Sequence, residues 1–541
     1  MTHYSTISEG TSVAESSLRE MSRPRRGRSP KNAGGRASML SSNINLLNTI
    51  VGAGTLAMPA ALSHFGIVLG VTLIIWCGIT SAFGLYLQSR CSRYLDRGTS
   101  SFFALSQITY PNAAVLFDAA IAIKCFGVGV SYLIIIGDLM PGVVQGFTSN
   151  VDQFPFLDDR NFWITVFMLV IIPLSYLRRL DSLKYTSVVA LVSIGYLIIL
   201  VVYHFAADRH PDRGAIRVIT WEGPIAALSN LSVVIFAYTC HQNMFSILNE
   251  IQDNSPASVV AVIGASIGSA ASIYILVAIA GYLTFGNSVV GNIVSMYPPS
   301  VASTIAKAAI VVLVTFSIPL QVHPCRASLD AVLNWRPNKS SKNQTGGSPH
   351  SSLSVSQALL PTPNTTSRAQ DGHGPVAGPM SDLRFAIITT VILILGYATA
   401  LTVSSLDRVL AYVGSTGSTA ISFILPGLFY YKISDPDSVH HQRLSKEDDD
   451  AEIDLSDAES DESSAITTSG LRDSVLSISS VTSGVSGSNN RLFRRVRRKW
   501  RWDLEHLETG LLRKLALGLS VYGICVMIIS LVMNTFSVVS H

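Results

Sequence analysis

Residues 42–65 have the sequence SNINLLNTIVGAGTLAMPAALSHF, which is apolar enough to enter a membrane. Gly52 and Gly54 lie at its centre, and Asn48 stands one turn before them. Glycine favours local unwinding, and unwound backbone at membrane depth occurs where it is buried in protein or lines a cavity. We therefore predict a broken helix that can hold an ion or a charged substrate group. The alternative is a continuous or proline-kinked helix whose small residues serve close packing.

The composition is that of a membrane protein. Of the 541 residues, 48% are hydrophobic and 14% are charged, well below the roughly 25% charged residues of a soluble domain. Six cysteines show no paired spacing, so neither a disulfide framework nor a metal site is predicted. Phosphate-binding loops and hydrolase signatures are not found, so we expect no cofactor and no enzymatic activity. Nucleic-acid binding is not indicated, because the basic residues flank membrane spans.

About eleven segments are long and apolar enough to cross a bilayer, which predicts an all-α polytopic protein. Spans one to eight fall within residues 41–335, spans nine and ten within 381–432, and span eleven within 512–541. The predicted spans are 43–64, 67–90, 114–140, 161–178, 184–205, 223–248, 257–282, 301–323, 382–403, 408–431 and 512–534.

Three polar segments are predicted to be disordered and cytosolic. They are a basic tail (1–40), a Ser- and Pro-rich loop (336–380), and an acidic, Ser-rich and then basic linker (433–511). The distribution of Arg and Lys places the N-terminus in the cytosol and the C-terminus on the lumenal side, with loop 206–222 as an exception. The run from Arg491 to Trp502 should attract anionic lipids of the cytosolic leaflet; its alternative role is topology control alone.

A second interruption is predicted in span six, where six residues with polar groups, 238–243, follow an apolar half. These side chains cannot all face one side of a helix, so the helix opens or they line a cavity. Histidine has an unperturbed pKa near neutral pH, so His241 is a candidate proton-coupling group. It could equally be a neutral histidine bonded within the bundle. Glu250 closes the segment and is a further candidate.

Charged and hydroxyl groups occur in other spans as well. Lys124 lies deep within span three, and an intramembrane charge is a functional candidate by default. Thr315 and Ser317 precede a proline in span eight and could join an ion site, although such hydroxyls more often bond to their own helix. Because the two interrupted spans are five apart, we predict an inverted repeat of five plus five spans, with span eleven as an addition.

The chain also resembles a known family. SSNINLLNTIVGAGTLAMPAAL, IKCFGVGVSYLIIIGDLMP (123–141), RRLDSLKYTS (178–187), FAYTCHQNMFSILNE (236–250) and FSIPLQVHPCR (316–326) resemble the amino acid/auxin permeases, and within them the fungal vacuolar amino acid transporters. The resemblance covers the spans and not the tails. It implies a LeuT-like fold and secondary active transport of amino acids across a vacuolar, lysosome-like membrane.

The resemblance also implies site residues. Sodium-coupled members use an asparagine and a span-eight hydroxyl in their ion site, which match Asn48 and Thr315 here, with Ser317 close by. Vacuolar members are generally proton-linked. The substrate carboxylate would lie against unwound backbone in span one, and its ammonium would face span-one carbonyls and the opening of span six. The implied substrate-binding residues are Asn48, Gly52, Ala53, Gly54, Thr55, Phe236, Ala237 and Tyr238.

Three functions from different classes are compatible with the sequence. The first is a proton-linked amino acid transporter, with sodium coupling as a variant and His241, Glu250 and Lys124 as proton-coupling candidates. The second is an amino acid sensor that signals through the long cytosolic segments. The third is a channel or scaffold whose polar residues only pack helices. Saturable flux separates a carrier from a channel.

Overall fold

The computed structural model describes residues 37–95, 98–147, 154–177, 186–207, 213–334, 380–444 and 486–539. This part is almost wholly helical, apart from one isolated parallel bridge between Ala37 and Ile251. Two π-helical segments, Gly414–Ser418 and Ala420–Ile424, follow α13. The α-helices are α1 (Met39–Ile50), α2 (Ala53–Phe65), α3 (Ile67–Ser92), α4 (Phe102–Thr109), α5 (Ala114–Phe147), α6 (Arg160–Ser175), α7 (Thr186–Ala207), α8 (Pro224–Ala237), α9 (His241–Glu250), α10 (Pro256–Phe285), α11 (Val301–Asn334), α12 (Asp382–Thr402), α13 (Leu406–Val413), α14 (Leu425–Ile433) and α15 (Ser486–Val539).

Each predicted span coincides with a helix or a pair of helices. Ten are long and apolar enough to cross a bilayer when α1 and α2 are taken as one span. The remaining one, α6, has 16 residues and covers about 24 Å, less than the ~30 Å of a hydrocarbon core. The prediction of an all-α polytopic protein is confirmed. The interrupted spans, α1–α2 and α8–α9, are five apart, as a five-plus-five repeat requires.

Helices α5 and α11 form a closely packed pair at the centre of the bundle. Gly142 and Gly146 of α5 face Lys307 and Thr304 of α11, where a Cβ would lie 2.7 Å from Lys307 Nζ or 2.0 Å from Thr304 Oγ1. Small residues four apart allow helix backbones to approach. The approach at Gly146 therefore depends on glycine, because Thr304 is short and a larger side chain at residue 146 would force the helices apart.

Loop 206–222, the exception to the predicted distribution of Arg and Lys, is bonded to the end of α2. Arg217 donates to the Ser63 carbonyl (3.1 Å) and pairs with Glu222 (3.4 Å). His64 contacts the same Glu222 carboxylate. A basic residue near the end of a helix satisfies carbonyls that lack intrahelical partners. Arg217 thus has a capping role that counting loop charges does not reveal.

The C-terminal linker differs in part from its prediction. We expected irregular structure up to residue 511, whereas α15 begins at Ser486. Residues 491–509 contain neither Gly nor Pro and are rich in Arg, Leu and Glu, which favour helix. Hydropathy detects only the apolar part of such a helix. Residues 1–36, 335–379 and 445–485, which make up most of the three predicted polar segments, lie outside the described residues.

Candidate substrate site

The first interruption is a sharp bend between α1 and α2. The two helices meet at 54°, and the residues between them are Val51 and Gly52. We predicted unwinding from Gly52 to Thr55, but Ala53 already begins α2 and the Thr55 N–H donates to the Gly52 carbonyl (3.0 Å). Alanine is a strong helix former, so the chain resumes helix directly after the first glycine. The break is therefore shorter than predicted, and it begins one residue earlier, at Val51.

The second interruption is milder and separates α8 from α9. Phe236 and Ala237, which we expected at the opening, form the last turn of α8, and the non-helical residues are Tyr238 to Cys240. The Thr239 N–H donates to the Phe236 carbonyl (3.0 Å). Residues 224–250 still form one apolar span without the sharp bend of the first break. The polar residues thus open the helix locally without redirecting it.

The two breaks lie against each other. A Cβ placed on Gly54 would lie 2.6 Å from Ala237 Cβ and 2.8 Å from its Cα. Gly54 therefore serves the close approach of α2 to the end of α8, and not the unwound turn itself. Gly52 is less crowded, since the nearest atom to a Cβ there is the Tyr132 hydroxyl oxygen at 3.9 Å.

A tyrosine that the sequence analysis did not single out joins the two breaks. The hydroxyl of Tyr274, in α10, lies 2.7 Å from the Ile50 carbonyl and 2.8 Å from the Ala237 carbonyl. These are the last helical residues of α1 and α8. Tyr274 is fully buried. A buried tyrosine hydroxyl in an otherwise apolar span requires a partner, and that requirement was the available signal.

The helix ends at this place have opposite polarity. The first N–H groups of α2 lack intrahelical partners and carry partial positive charge, while the last carbonyls of α1 and α8 carry partial negative charge. All three ends meet where Gly54 contacts Ala237 and Tyr274 contacts both carbonyls. The arrangement offers donors for a carboxylate and acceptors for an ammonium or a cation.

Asn48 is placed near the break with an unused acceptor. Its Oδ1 is buried, and no donor to it occurs among the described residues. The neighbouring Thr49 hydroxyl accepts a hydrogen bond from Asn243 Nδ2 (3.0 Å), which links α1 to α9. A buried acceptor without a donor is costly, so Asn48 is available to a ligand. This fits its predicted role without testing it.

Lys124 is a buried cation close to the second break. It is 4% exposed on α5 and lies near Cys240 of the second break. Its backbone packs on the π-helical segment, since a Cβ on Gly417 would lie 2.9 Å from Lys124 N. Within the described part of the chain its ammonium makes neither a hydrogen bond nor an ion pair. This is the environment expected of a group whose charge has a function.

His241 is fully buried at the start of α9. Its Nε2 lies 3.2 Å from the Ser81 carbonyl of α3, while Nδ1 has no partner among the described residues. A carbonyl can only accept, so Nε2 carries hydrogen and donates to it. Gln88 Nε2 also donates to the His241 carbonyl (2.9 Å). These bonds fasten the second break to α3 and suit a neutral, structural histidine.

The chain matches the model of a known family over residues 35–448, described as transmembrane amino acid transporter protein. The chain belongs to this family. It is 42% identical over 409 residues to vacuolar amino acid transporter 6 of Saccharomyces cerevisiae, covering 73% of this chain and 90% of that protein. It is 43% identical over 401 residues to vacuolar amino acid transporter 5 of Schizosaccharomyces pombe, covering 74% and 86%. The solved structure of MhsT in complex with L-phenylalanine is similar over 76% of this chain and 95% of that chain, with 13% identity and a TM-score of 0.47.

Membership of the transporter family confirms the resemblance drawn from the sequence and supports a transporter rather than an enzyme. The matched region ends before α15, which therefore lies outside it.

Three of the predicted coupling residues, Thr315, Ser317 and Glu250, either hydrogen-bond within their own helix or lie apart from the place where the two breaks meet. Thr315 donates to the Val311 carbonyl (2.6 Å) and Ser317 to the Leu313 carbonyl (2.8 Å), both within α11. Glu250 is exposed at the far end of α9, about 14 Å along the helix from His241 at 1.5 Å per residue. A bonded hydroxyl keeps its oxygen lone pairs, so Thr315 and Ser317 stay candidates for an ion site.

Proposed function

We propose that this chain is a proton-coupled secondary active amino acid transporter of the vacuolar membrane. Family membership supports amino acid transport, and the names of the relatives at 42% and 43% identity support the vacuole. The free amino acid is bound as a zwitterion between the two interrupted spans.

The convergence of oppositely polarised helix ends carries this proposal. The α-carboxylate binds at the first turn of α2, where the N–H groups of Ala53 and Gly54 precede the first bonded N–H, that of Thr55. The ammonium binds beside Tyr238, toward carbonyls of the last turns of α1 and α8 other than those of Ile50 and Ala237, which Tyr274 occupies. A zwitterion satisfies both ends at once, whereas an inorganic ion satisfies only one of them.

Access alternates through movement of α1 relative to α9. On the predicted cytosolic side the two helices are joined by few bonds. The Ala37 N–H donates to the Glu250 carbonyl, and the Gln252 N–H donates to the Ala37 carbonyl, both at 2.9 Å. Closer to the break, Asn243 donates to Thr49. Opening toward the cytosol requires these bonds to separate while the α5–α11 pair stays packed.

Lys124 is the leading group for proton coupling. Burial of an ammonium without a partner is unfavourable, and an anion close to it removes part of that cost. A bound substrate carboxylate supplies such an anion and ties protonation to occupancy. His241 is second, because its contacts suit a neutral ring, and Glu250 is third, because it lies far from the breaks.

The test is uptake by proteoliposomes that contain the purified protein. A panel of labelled amino acids is supplied with and without an imposed pH gradient, in sodium-free and sodium-containing buffer. Saturable uptake that follows the pH gradient without sodium is the expected result. Uptake that is linear in concentration would contradict the carrier, and amino acid binding without uptake would favour the sensor.

Sodium coupling is the second candidate, and the unpartnered Oδ1 of Asn48 is the observation that favours it. An uncharged buried acceptor next to helix ends of negative polarity suits a small cation. In that case the same uptake assay would require sodium, and Asn48 and Thr315 would become the central residues.

A further inference from the structure

Three oxygens meet where the two interrupted spans touch. The Tyr274 hydroxyl is 2.7 Å from the Ile50 carbonyl and 2.8 Å from the Ala237 carbonyl. Both distances are those of good O–H···O hydrogen bonds. A tyrosine hydroxyl carries one hydrogen, so it can donate fully to only one of the two carbonyls at a time. The two carbonyls therefore offer more acceptor capacity than the single hydrogen of the Tyr274 hydroxyl can fill.

The two carbonyls share an electrostatic property. Each belongs to the last residue of a half-helix, α1 or α8, where backbone carbonyls lack intrahelical partners and partial negative charge accumulates. Half-helix C-terminal ends of this kind coordinate monovalent cations in transporters with broken spans. Here two such ends point at one neutral hydroxyl.

The tyrosine is fixed in this position. Tyr274 is fully buried, and its ring packs edge-on against that of Tyr238 with centroids 5.2 Å apart. Tyr238 belongs to the second break, and the close contact of Gly54 with Ala237 holds the first break beside it. The hydroxyl is thus delivered from α10 to a point between α1 and α8 by rigid packing.

We propose that the Tyr274 hydroxyl occupies the position of a monovalent cation between the two half-helix ends. The junction is a cation site that the chain fills with its own side chain. The O–H dipole offsets part of the negative charge of both carbonyls, and it ties the two breaks together without an ion. It follows for transport that this junction does not need sodium, and this consequence rests on the proposed function. The placement of the Tyr274 hydroxyl between the two helix ends does not rest on it.

Tyr274→Phe removes only the hydroxyl and leaves the ring that packs on Tyr238. The variant then exposes two carbonyls of negative polarity around a space of one oxygen atom, which a small cation and water can enter. The melting temperature of the purified full-length protein is measured in choline, potassium, sodium and lithium chloride at equal ionic strength. Tyr274→Phe is expected to melt about 3 °C below wild type in choline and to recover in sodium or lithium in a saturable manner.

Tyr282→Phe is the matched control on the same helix. The Tyr282 hydroxyl is also engaged, accepting from the Arg217 N–H (2.7 Å) and donating to Asn287 Oδ1 (2.8 Å), but it does not bridge two helix ends. This variant is expected to melt lower than wild type in every salt, with no difference among cations. Wild type is expected to show no cation-specific change either.

Two results would overturn the proposal. One is a melting temperature of Tyr274→Phe that does not depend on the cation. The other is sodium-specific stabilisation of the wild-type protein, a measurement that needs no variant to fold. Because melting requires no substrate, either result is distinct from failure of the proposed function, which is judged separately by wild-type uptake in proteoliposomes.

Discussion

The two interruptions differ in how they open a helix. In span one, two non-helical residues, Val51 and Gly52, redirect the chain by 54°. In span six, three non-helical residues, Tyr238 to Cys240, interrupt the helix without a bend as sharp as that of span one. The glycine break bends the chain sharply and presents backbone N–H groups, whereas the polar break bends it less and presents side chains. The first therefore suits substrate binding through backbone, and the second suits fastening and coupling through side chains.

The largest effect is expected where the two breaks touch. Gly54→Leu would place a branched side chain where even a Cβ lies 2.6 Å from Ala237 Cβ. Separation of α2 from α8 by about 1 Å is enough to lower transport ~100-fold. Gly268→Leu, in α10, is the control, since no atom lies within 4 Å of a Cβ there. Uptake by both variants is measured in proteoliposomes, and equal activity of the two would refute the contact.

The next largest effect is expected at Lys124, near the second break, where proton coupling can be separated from substrate binding. Lys124→Met removes the buried ammonium, so the stimulation of uptake by a pH gradient is expected to disappear while exchange of internal for external substrate continues. Lys307→Met is the matched control, because Lys307 is also buried but donates to the Tyr297 carbonyl (2.9 Å). It should lose stability and keep the response to pH. Persistence of that response in Lys124→Met would exclude Lys124 as the coupling group.

A smaller effect is expected at His241. His241→Gln keeps a side-chain N–H able to reach the Ser81 carbonyl, whereas His241→Ala loses the donor. The free energy of unfolding should fall by about 1 kcal/mol more in the alanine variant. The pH profile of uptake should not move in either variant, because the ring donates as a neutral group. A profile displaced in both would transfer coupling from Lys124 to His241.

The smallest change in stability is expected at Asn48. Asn48→Ala deletes a buried acceptor that has no donor among the described residues, so the melting temperature should stay at the wild-type value. The affinity for substrate or ion should fall by about threefold to tenfold, the loss of one hydrogen bond. Titration of binding and a melting curve on the same sample measure both. Lower stability with unchanged affinity would indicate that Asn48 has a structural role and does not bind the ligand.

Much of the fold follows from local composition. Apolar runs of about 20 residues predict the spans because lipid forces the backbone into helices. Because lipid favours an uninterrupted helix, Gly52 and the polar residues after Ala237 indicated where the two spans are interrupted. Their limits were less predictable: Ala53 resumes helix at once, and the extent of α15 beyond its apolar part depends on helix propensity rather than hydropathy.

The tertiary contacts of the site were the part that the sequence could not supply. Tyr274 is more than twenty residues from either break and joins them only because α10 packs against α1 and α2. The role of Gly54 likewise depends on which helix lies opposite it, here α8 at Ala237. The capping of α2 by Arg217 overrides a rule based on loop charge. In each case a segment that is distant in the sequence determines the role of the residue.

The most direct measurement compares three inhibitors of saturable uptake by the wild-type protein. They are the transported amino acid, its N-acetyl derivative and its carboxamide. A site that binds the carboxylate at the start of α2 and the ammonium at the ends of α1 and α8 predicts that each derivative inhibits at least about tenfold more weakly, since each loses one charged contact. Inhibition by either derivative as strong as that by the free amino acid would contradict a site that recognises both ends of the zwitterion.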